Sequence, residues 1–159
     1  MDTSRISFGE MVAGSSAGVL LIVMFFPWFG ASAEVAGGKI SGGNANAWQS
    51  FSFIDILLFL VIAVTIGLVI ARAAGSIPSE LPAPPGLIIL GGGVLALVLI
   101  IFRLINTPGE DVVGFGVQVN VGRKIGIFLG LIAAAGIAFG GKLAADERTN
   151  GSVSTSDSA

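Results

Sequence analysis

Val121-Gly-Arg-Lys-Ile-Gly-Ile-Phe-Leu-Gly-Leu-Ile-Ala-Ala-Ala-Gly-Ile-Ala-Phe-Gly-Gly141 is the stretch whose reading decides the fold. Between Lys124 and Lys142 it runs for 17 residues without a charge. A helix rising ~1.5 Å per residue needs about 20 residues to cross a hydrocarbon core of about 30 Å. Every fourth residue is small: Gly122, Gly126, Gly130, Ala134 and Ala138. In lipid, helix association rests on close packing rather than on hydrophobic burial, so such a ladder predicts a partner helix lying close against it. The stretch reads as a membrane span of about 122–141 with a packing partner.

Composition agrees. Of 159 residues, 53% are hydrophobic and 11% charged, against about 25% charged in soluble domains. The mean hydropathy is +0.93. The net charge of -2 offers no basic footprint for nucleic acid. The absence of Cys, His and Tyr removes disulfides, thiolate and imidazole metal ligands, and every Cys- or His-based nucleophile system. No cofactor or metal site is expected.

Three further spans precede the first-quoted one. Ser7-Phe-Gly-Glu10 has capping-box spacing, which predicts a helix over about 9–26 ending at Pro27. Gly14 and Gly18 form a GxxxG pair within it, a second candidate packing site. Ala31-Ser-Ala33 resembles a signal-peptide cleavage site. However, Asp2, Arg5 and Glu10 give no net positive n-region, and the apolar run is too long for an h-region, so the segment reads as a retained span. Ser52-x-x-Asp55 repeats the capping spacing ahead of a span over about 53–71 ended by Arg72. Pro78, Pro82, Pro84 and Pro85 make a stiff link to a third span over about 86–105. Residues 1–8 and the polar, Ser-rich 146–159 read as tails, the latter disordered. The membrane domain is therefore 9–145.

Two connections carry strand signals. In residues 27–50, bracketed by Trp28 and Trp48, Gly37-Gly38 could turn a short hairpin. Val113, Phe115, Val117, Val119 and Val121 alternate with Gly114, Gly116, Gln118 and Asn120, the period of a half-buried strand. An isolated strand cannot satisfy its backbone groups, and an even number of spans puts both loops on one side. The expected fold is an all-α membrane protein: a four-helix transmembrane bundle with a small β-stranded cap from loops 1 and 3. Flanking positive charges tie at four per side: Arg5, Arg72, Lys142 and Arg148 against Lys39, Arg103, Arg123 and Lys124. Because Arg5 flanks the first span closely, cytoplasmic termini in a multi-pass cell-membrane protein are expected.

The candidate site is polar and low in residue number. Asp55, Arg103, Arg123 and Lys124 all fall at loop-side span ends. By helical phase, Arg103 and Arg123 stand over small, helix-facing stripes, and Lys124 stands over Phe128, Leu131 and Ala135 on a lipid face. This predicts Arg123 as the inward charge, with Asp55 as its first-choice partner. Asp55, Arg103 and Arg123 could bind an anion or lipid headgroup. The competing reading makes Asp55 a cap and the arginines interfacial anchors or partners of Asp55, Glu110 or Asp111. Thr65 deep in the second span reads as a hydroxyl bonded back to its own helix. Gly91-Gly92-Gly93 reads as close packing, with an unwound transporter segment as the alternative. A Ser-His system is impossible without His, no second carboxylate lies within a span core, and no GxxxxGK[ST] loop occurs. Catalysis is not expected.

Phe26-Pro-Trp-Phe-Gly30, Asn46-Ala-Trp48, Arg103-Leu-Ile-Asn106 and Gly122-Arg-Lys-Ile-Gly126, followed by a Gly/Ala-rich last span, resemble a group of uncharacterised bacterial four-span integral membrane proteins. The resemblance covers roughly residues 5–145 and implies architecture rather than activity. The layout is also similar to the claudin plan of four helices with a stranded first outer loop, without the claudin Gly-Leu-Trp or its two loop cysteines. These readings lead to a structural or interaction role, with membrane lipid, further copies or other membrane proteins as partners. The alternative is a small-solute or ion transporter or channel, or an accessory subunit of one.

Overall fold

The computed structural model describes residues 6–35, 38–50, 52–77, 80–106 and 118–156. It contains α1 (Phe8–Val23), β1 (Pro27–Val35), β2 (Gly38–Asn46), the single turn α2 (Ala47–Ser50), α3 (Ser52–Ala73), α4 (Pro85–Ile105), β3 (Gln118–Arg123) and α5 (Ile125–Ser156). The chain is mostly helical, with one small sheet of order β2-β1-β3, both pairings antiparallel. The sheet joins the first and third loops, as the alternation of apolar residues requires. The turn at residues 36–37 and the start of the expected third-loop strand, 113–117, lie outside the described residues.

Local chemistry sets the helix ends. At α1, Ser7 Oγ accepts from the Glu10 backbone N–H at 3.2 Å, and Glu10 Oε2 accepts from the Ser7 N–H at 3.0 Å. Two otherwise orphaned backbone donors are thus satisfied. The helix stops at Val23, three residues short of the expected 26, because Met24 to Phe26 turn into β1. α3 ends in a Schellman motif: Gly75, at φ 69°, donates to the Arg72 carbonyl and Ser76 to that of Ala71. That φ lies where glycine alone is unstrained. α4 opens on Pro85 at its first position, where the missing N–H is harmless.

Two boundaries of the last helix are corrected. Residues 122–124 are not helical: β3 runs to Arg123, which pairs with Phe29, and the Lys124 N–H donates to the Trp28 carbonyl. At the other end, α5 continues through the polar stretch to Ser156 where a disordered tail from 146 was expected. Asp146, Glu147 and Arg148 continue the helix, and Arg148 is held by a buried partner described below.

The four long helices form a ring in which α5 packs on α1 and α4, and α3 packs on the same two from the opposite side. α5 approaches both neighbours backbone to backbone. A Cβ on Gly140 would lie 2.5 Å from the Ala13 nitrogen, and one on Gly86 would lie 2.7 Å from the Ala145 nitrogen. Gly9 meets Gly140 and Ala144, Gly93 meets Ala138, and Gly141 meets Leu90. Of the expected ladder only Ala138 enters these contacts; the others on α5 come from Gly140, Gly141, Ala144 and Ala145, on two faces, one for each neighbour. The packing role expected of Gly14 and Gly18 holds at one of the two: a Cβ on Gly14 would lie 3.4 Å from the Val69 side chain of α3, whereas Gly18, which has nothing within 4 Å, is corrected. On α1 the close contacts belong to Gly9 and Ala13, whose phase on the helix points at α5. Gly91 to Gly93 sit in an unbroken helix, with Gly92 against Val61 and Gly93 against α5.

Among the described residues, three helices are long and apolar enough to cross a membrane: Phe53–Ala73, Pro85–Ile105 and Ile125–Gly151. α1, with 16 residues, spans about 24 Å and is shorter than a full crossing.

Candidate functional site

Polar side chains gather at the two ends of the helix ring. At the end opposite the sheet, Glu10 is only 2% exposed. Its Oε1 accepts from Arg148 Nη2 at 2.7 Å and from Arg72 Nε at 3.1 Å. One carboxylate thus ties the start of α1 to the end of α3 and to α5. Its position suits both helix dipoles: the anion sits in the first turn of α1 and Arg72 in the last turn of α3. With two arginines around one carboxylate, the cluster carries a surplus positive charge. Among the described residues Arg72 Nη2 is buried with no hydrogen-bond partner.

Local sequence signals do not join these three residues. Glu10 reads as a cap, Arg72 as a span end, and Arg148 as part of a tail. The signal was nonetheless present. A carboxylate opening an apolar helix, with two arginines on the same side, needs a counter-charge once the helix is packed.

At the sheet end, Trp28 is the organising side chain. It is 1% exposed and its Nε1 donates at 2.8 Å to the Val23 carbonyl at the end of α1, which also accepts from the Phe26 N–H. The indole lies in a notch on α5. A Cβ on Gly126 would come within 2.7 Å of Trp28 Cδ1, and one on Gly130 within 2.9 Å of Cη2 and Cζ2. The two glycines expected to admit a neighbouring helix therefore admit an indole. Gly122, the first rung of that ladder, lies in β3 with the Gly30 carbonyl 3.9 Å from its would-be Cβ. Trp28 is buried, whereas Trp48 is exposed and packs between Phe25 and Phe59, with ring centroids 6.1 and 5.7 Å away.

Of the expected site residues, the structure buries Asp55, half-buries Arg103 at the same end of the ring and leaves Arg123 exposed. Asp55 is 1% exposed on the inner face of α3, which also carries the buried Leu58, Ile62 and Thr65. Arg103, half-buried near the end of α4, feels the Asp55 charge. Arg123 is exposed, and its Nε donates to the Leu104 carbonyl at 2.8 Å, capping the end of α4. The expectation of an inward Arg123 rested on helical phase, and Arg123 belongs to a strand. Lys124 is exposed, and its side chain crosses Gly30 of β1. On the face expected to meet lipid, Phe128 and Ala135 are exposed, but Leu131 packs partly against the core.

Among the described residues, no group of three or more His, Cys, Asp or Glu side chains could hold a metal ion. No protein-family model matches the chain, and no curated protein matches it.

Proposed function

We propose that this chain is a multi-pass integral membrane protein with a structural or interaction role, non-catalytic, presenting its three-stranded cap on the extracytoplasmic side. The observation that carries the membrane reading is the outer surface. Only 28% of the apolar window of α3 and 22% of that of α4 is buried inside the molecule. What remains outside is Phe53, Ile56, Leu60 and Val64 on α3, Leu87, Val94 and Val98 on α4, and Phe128, Ile132 and Phe139 on α5. In water so large an apolar surface is a liability; in lipid it is the solvated surface. The charged side chains keep to the two ends of the ring, and the Phe25–Trp48–Phe59 group suits a membrane–water interface.

In this reading α1 completes a fourth crossing with help from the turn after it, and both termini are cytoplasmic. The likeness to bacterial four-span proteins belongs to the same reading. The second reading, small-solute or ion handling alone or as an accessory subunit, draws support from the buried Asp55 and Thr65 on one face of α3. The unbroken α4 favours the first reading, since transporter sites form where spans are interrupted.

Because the chain has no Cys, single cysteines report topology cleanly. Cysteines at the exposed Gly43 and Asn106 should react with an impermeant thiol reagent on intact cells, and cysteines at Ser76 and Asn150 only after permeabilisation. The reverse pattern inverts the orientation. Reaction at all four sites without permeabilisation removes the membrane reading.

A further inference from the structure

Where α4 begins and α5 leaves the ring, an open groove of about 420 Å³ is lined by Pro84, Leu87, Ala145, Asp146, Arg148 and Thr149. Its volume lies in the range of small-molecule sites, ~300–1,000 Å³. Its composition is unusual for a bundle surface. Pro84, Leu87 and Ala145 make its apolar part, and beside them stand a cation held in place, Arg148, and an exposed anion, Asp146. Arg148 is fixed because one of its nitrogens already holds Glu10, which leaves other donors of its planar fork for a second acceptor. Asp146 is exposed at the rim. The Thr149 hydroxyl donates to the Ala145 carbonyl at 3.1 Å, so it does not compete with Arg148 as a donor.

We propose that this groove holds the headgroup of a phospholipid bearing a primary ammonium, that is, an aminoethyl phosphodiester. The proposal rests on the membrane reading above, which places this end of α4 and α5 at the headgroup level. Arg148 takes the phosphate in a charge-assisted hydrogen bond, and Asp146 accepts from the ammonium N–H groups. A choline headgroup carries no N–H and cannot make the second contact. A glycerol headgroup leaves Asp146 facing a net anion. Below the groove the exposed Leu87, Val94 and Ile101 recur every seven residues along α4, a continuous apolar track for an acyl chain. Lys142, one turn nearer the ring, is exposed but does not line the groove, and it serves as the control.

The test uses the full chain. Resistance of the protein to alkaline carbonate extraction from native membranes is measured first. The purified protein is then placed in nanodiscs of equal parts phosphatidylethanolamine, phosphatidylcholine and phosphatidylglycerol with matched acyl chains. Lipids retained on the released protein are counted by native mass spectrometry. Retention of phosphatidylethanolamine over phosphatidylcholine by about three- to tenfold is expected, the net worth of one ordinary hydrogen bond at an exposed rim. Asp146→Asn, which keeps an acceptor but loses the charge, should lower that ratio and raise phosphatidylglycerol. Lys142→Gln should leave the ratio unchanged. Arg148 is left intact because it also holds Glu10. A wild-type ratio near one, preferred retention of phosphatidylglycerol, or an unchanged ratio in Asp146→Asn overturns the proposal while the membrane reading stands. Release of the protein by carbonate overturns both.

Discussion

The two ends of the helix ring are closed by different physics. Opposite the sheet, three helices are tied through one carboxylate, with Glu10 gripped by Arg72 and Arg148. Under the sheet the closure is an apolar plug, with Trp28 seated on Gly126 and Gly130 and a single hydrogen bond to the end of α1. A charge tie tolerates little: an ion buried without its partner is strongly disfavoured. A packed plug fails by degrees, with the volume lost or added. The difference also shows what each end can do. The charged end retains donors beyond those used internally and so can meet a polar headgroup. The plugged end also holds the buried Asp55 and the half-buried Arg103, and its exterior is the sheet and Trp48.

The largest effect should come from Glu10. Glu10→Gln keeps the shape but leaves two arginines facing each other, partly exposed at 23% and 34%. Breaking a fully buried pair costs about 3–5 kcal/mol, and the exposure of both arginines brings the expected cost to about 2–3 kcal/mol. Thermal melting in mild detergent measures it. Arg148→Gln should cost less, and the double variant less than the two singles added. Strict additivity would mean that the ion pair carries no coupling and that the comparison between the ends is misdrawn.

Next comes the plug. Gly130→Leu puts a side chain where the indole lies and should cost about 1–3 kcal/mol from overpacking. Gly18→Leu, in open space, should be nearly silent. Since the obstacle is an indole and not a helix backbone, removing it makes room: Gly130→Leu combined with Trp28→Ala should be less damaging than the sum of its parts. An additive pair would show that the notch on α5 tolerates no substitution whatever fills it. Trp28→Phe removes the Nε1 bond to Val23 and part of the bulk, at an expected cost of about 1–2 kcal/mol.

Elements whose signals are local were legible in the sequence. Ser7 and Glu10 cap α1 at the expected place, α4 begins and ends within a residue of its reading, and the alternating valines of the third loop lead to a strand paired with the first loop. Residues whose roles depend on register were not. The small ladder on α5 was visible, but which rung meets a helix and which meets Trp28 depends on how far β3 advances before the helix starts. Two residues of strand at Gly122 and Arg123 move Arg123 out of the helical phase that made it appear inward. Glu10 and Arg148 are 138 residues apart, and no short-range pattern joins them. The same contact anchors α5 beyond Asp146, in the polar stretch that local composition reads as a tail.

The smallest expected effect separates the two arginines of the sheet end. Arg103 shares its end of the ring with the buried Asp55, whereas Arg123 spends its Nε on the exposed end of α4. An exposed cap bond of this kind contributes about 0.5–1 kcal/mol. Arg123→Ala should therefore lower stability by about that amount, and Arg123→Lys by nearly as much, since a lysine lacks the planar fork that reaches Leu104. Asp55→Ala should couple to Arg103→Ala in a double-mutant cycle and be additive with Arg123→Ala, because residues without a shared partner add. The cycle is read from detergent melting of the three single and two double variants. Coupling of Asp55 to Arg123 rather than to Arg103 would restore the inward Arg123 that helical phase suggested, and with it a sheet end closed by charge like its opposite.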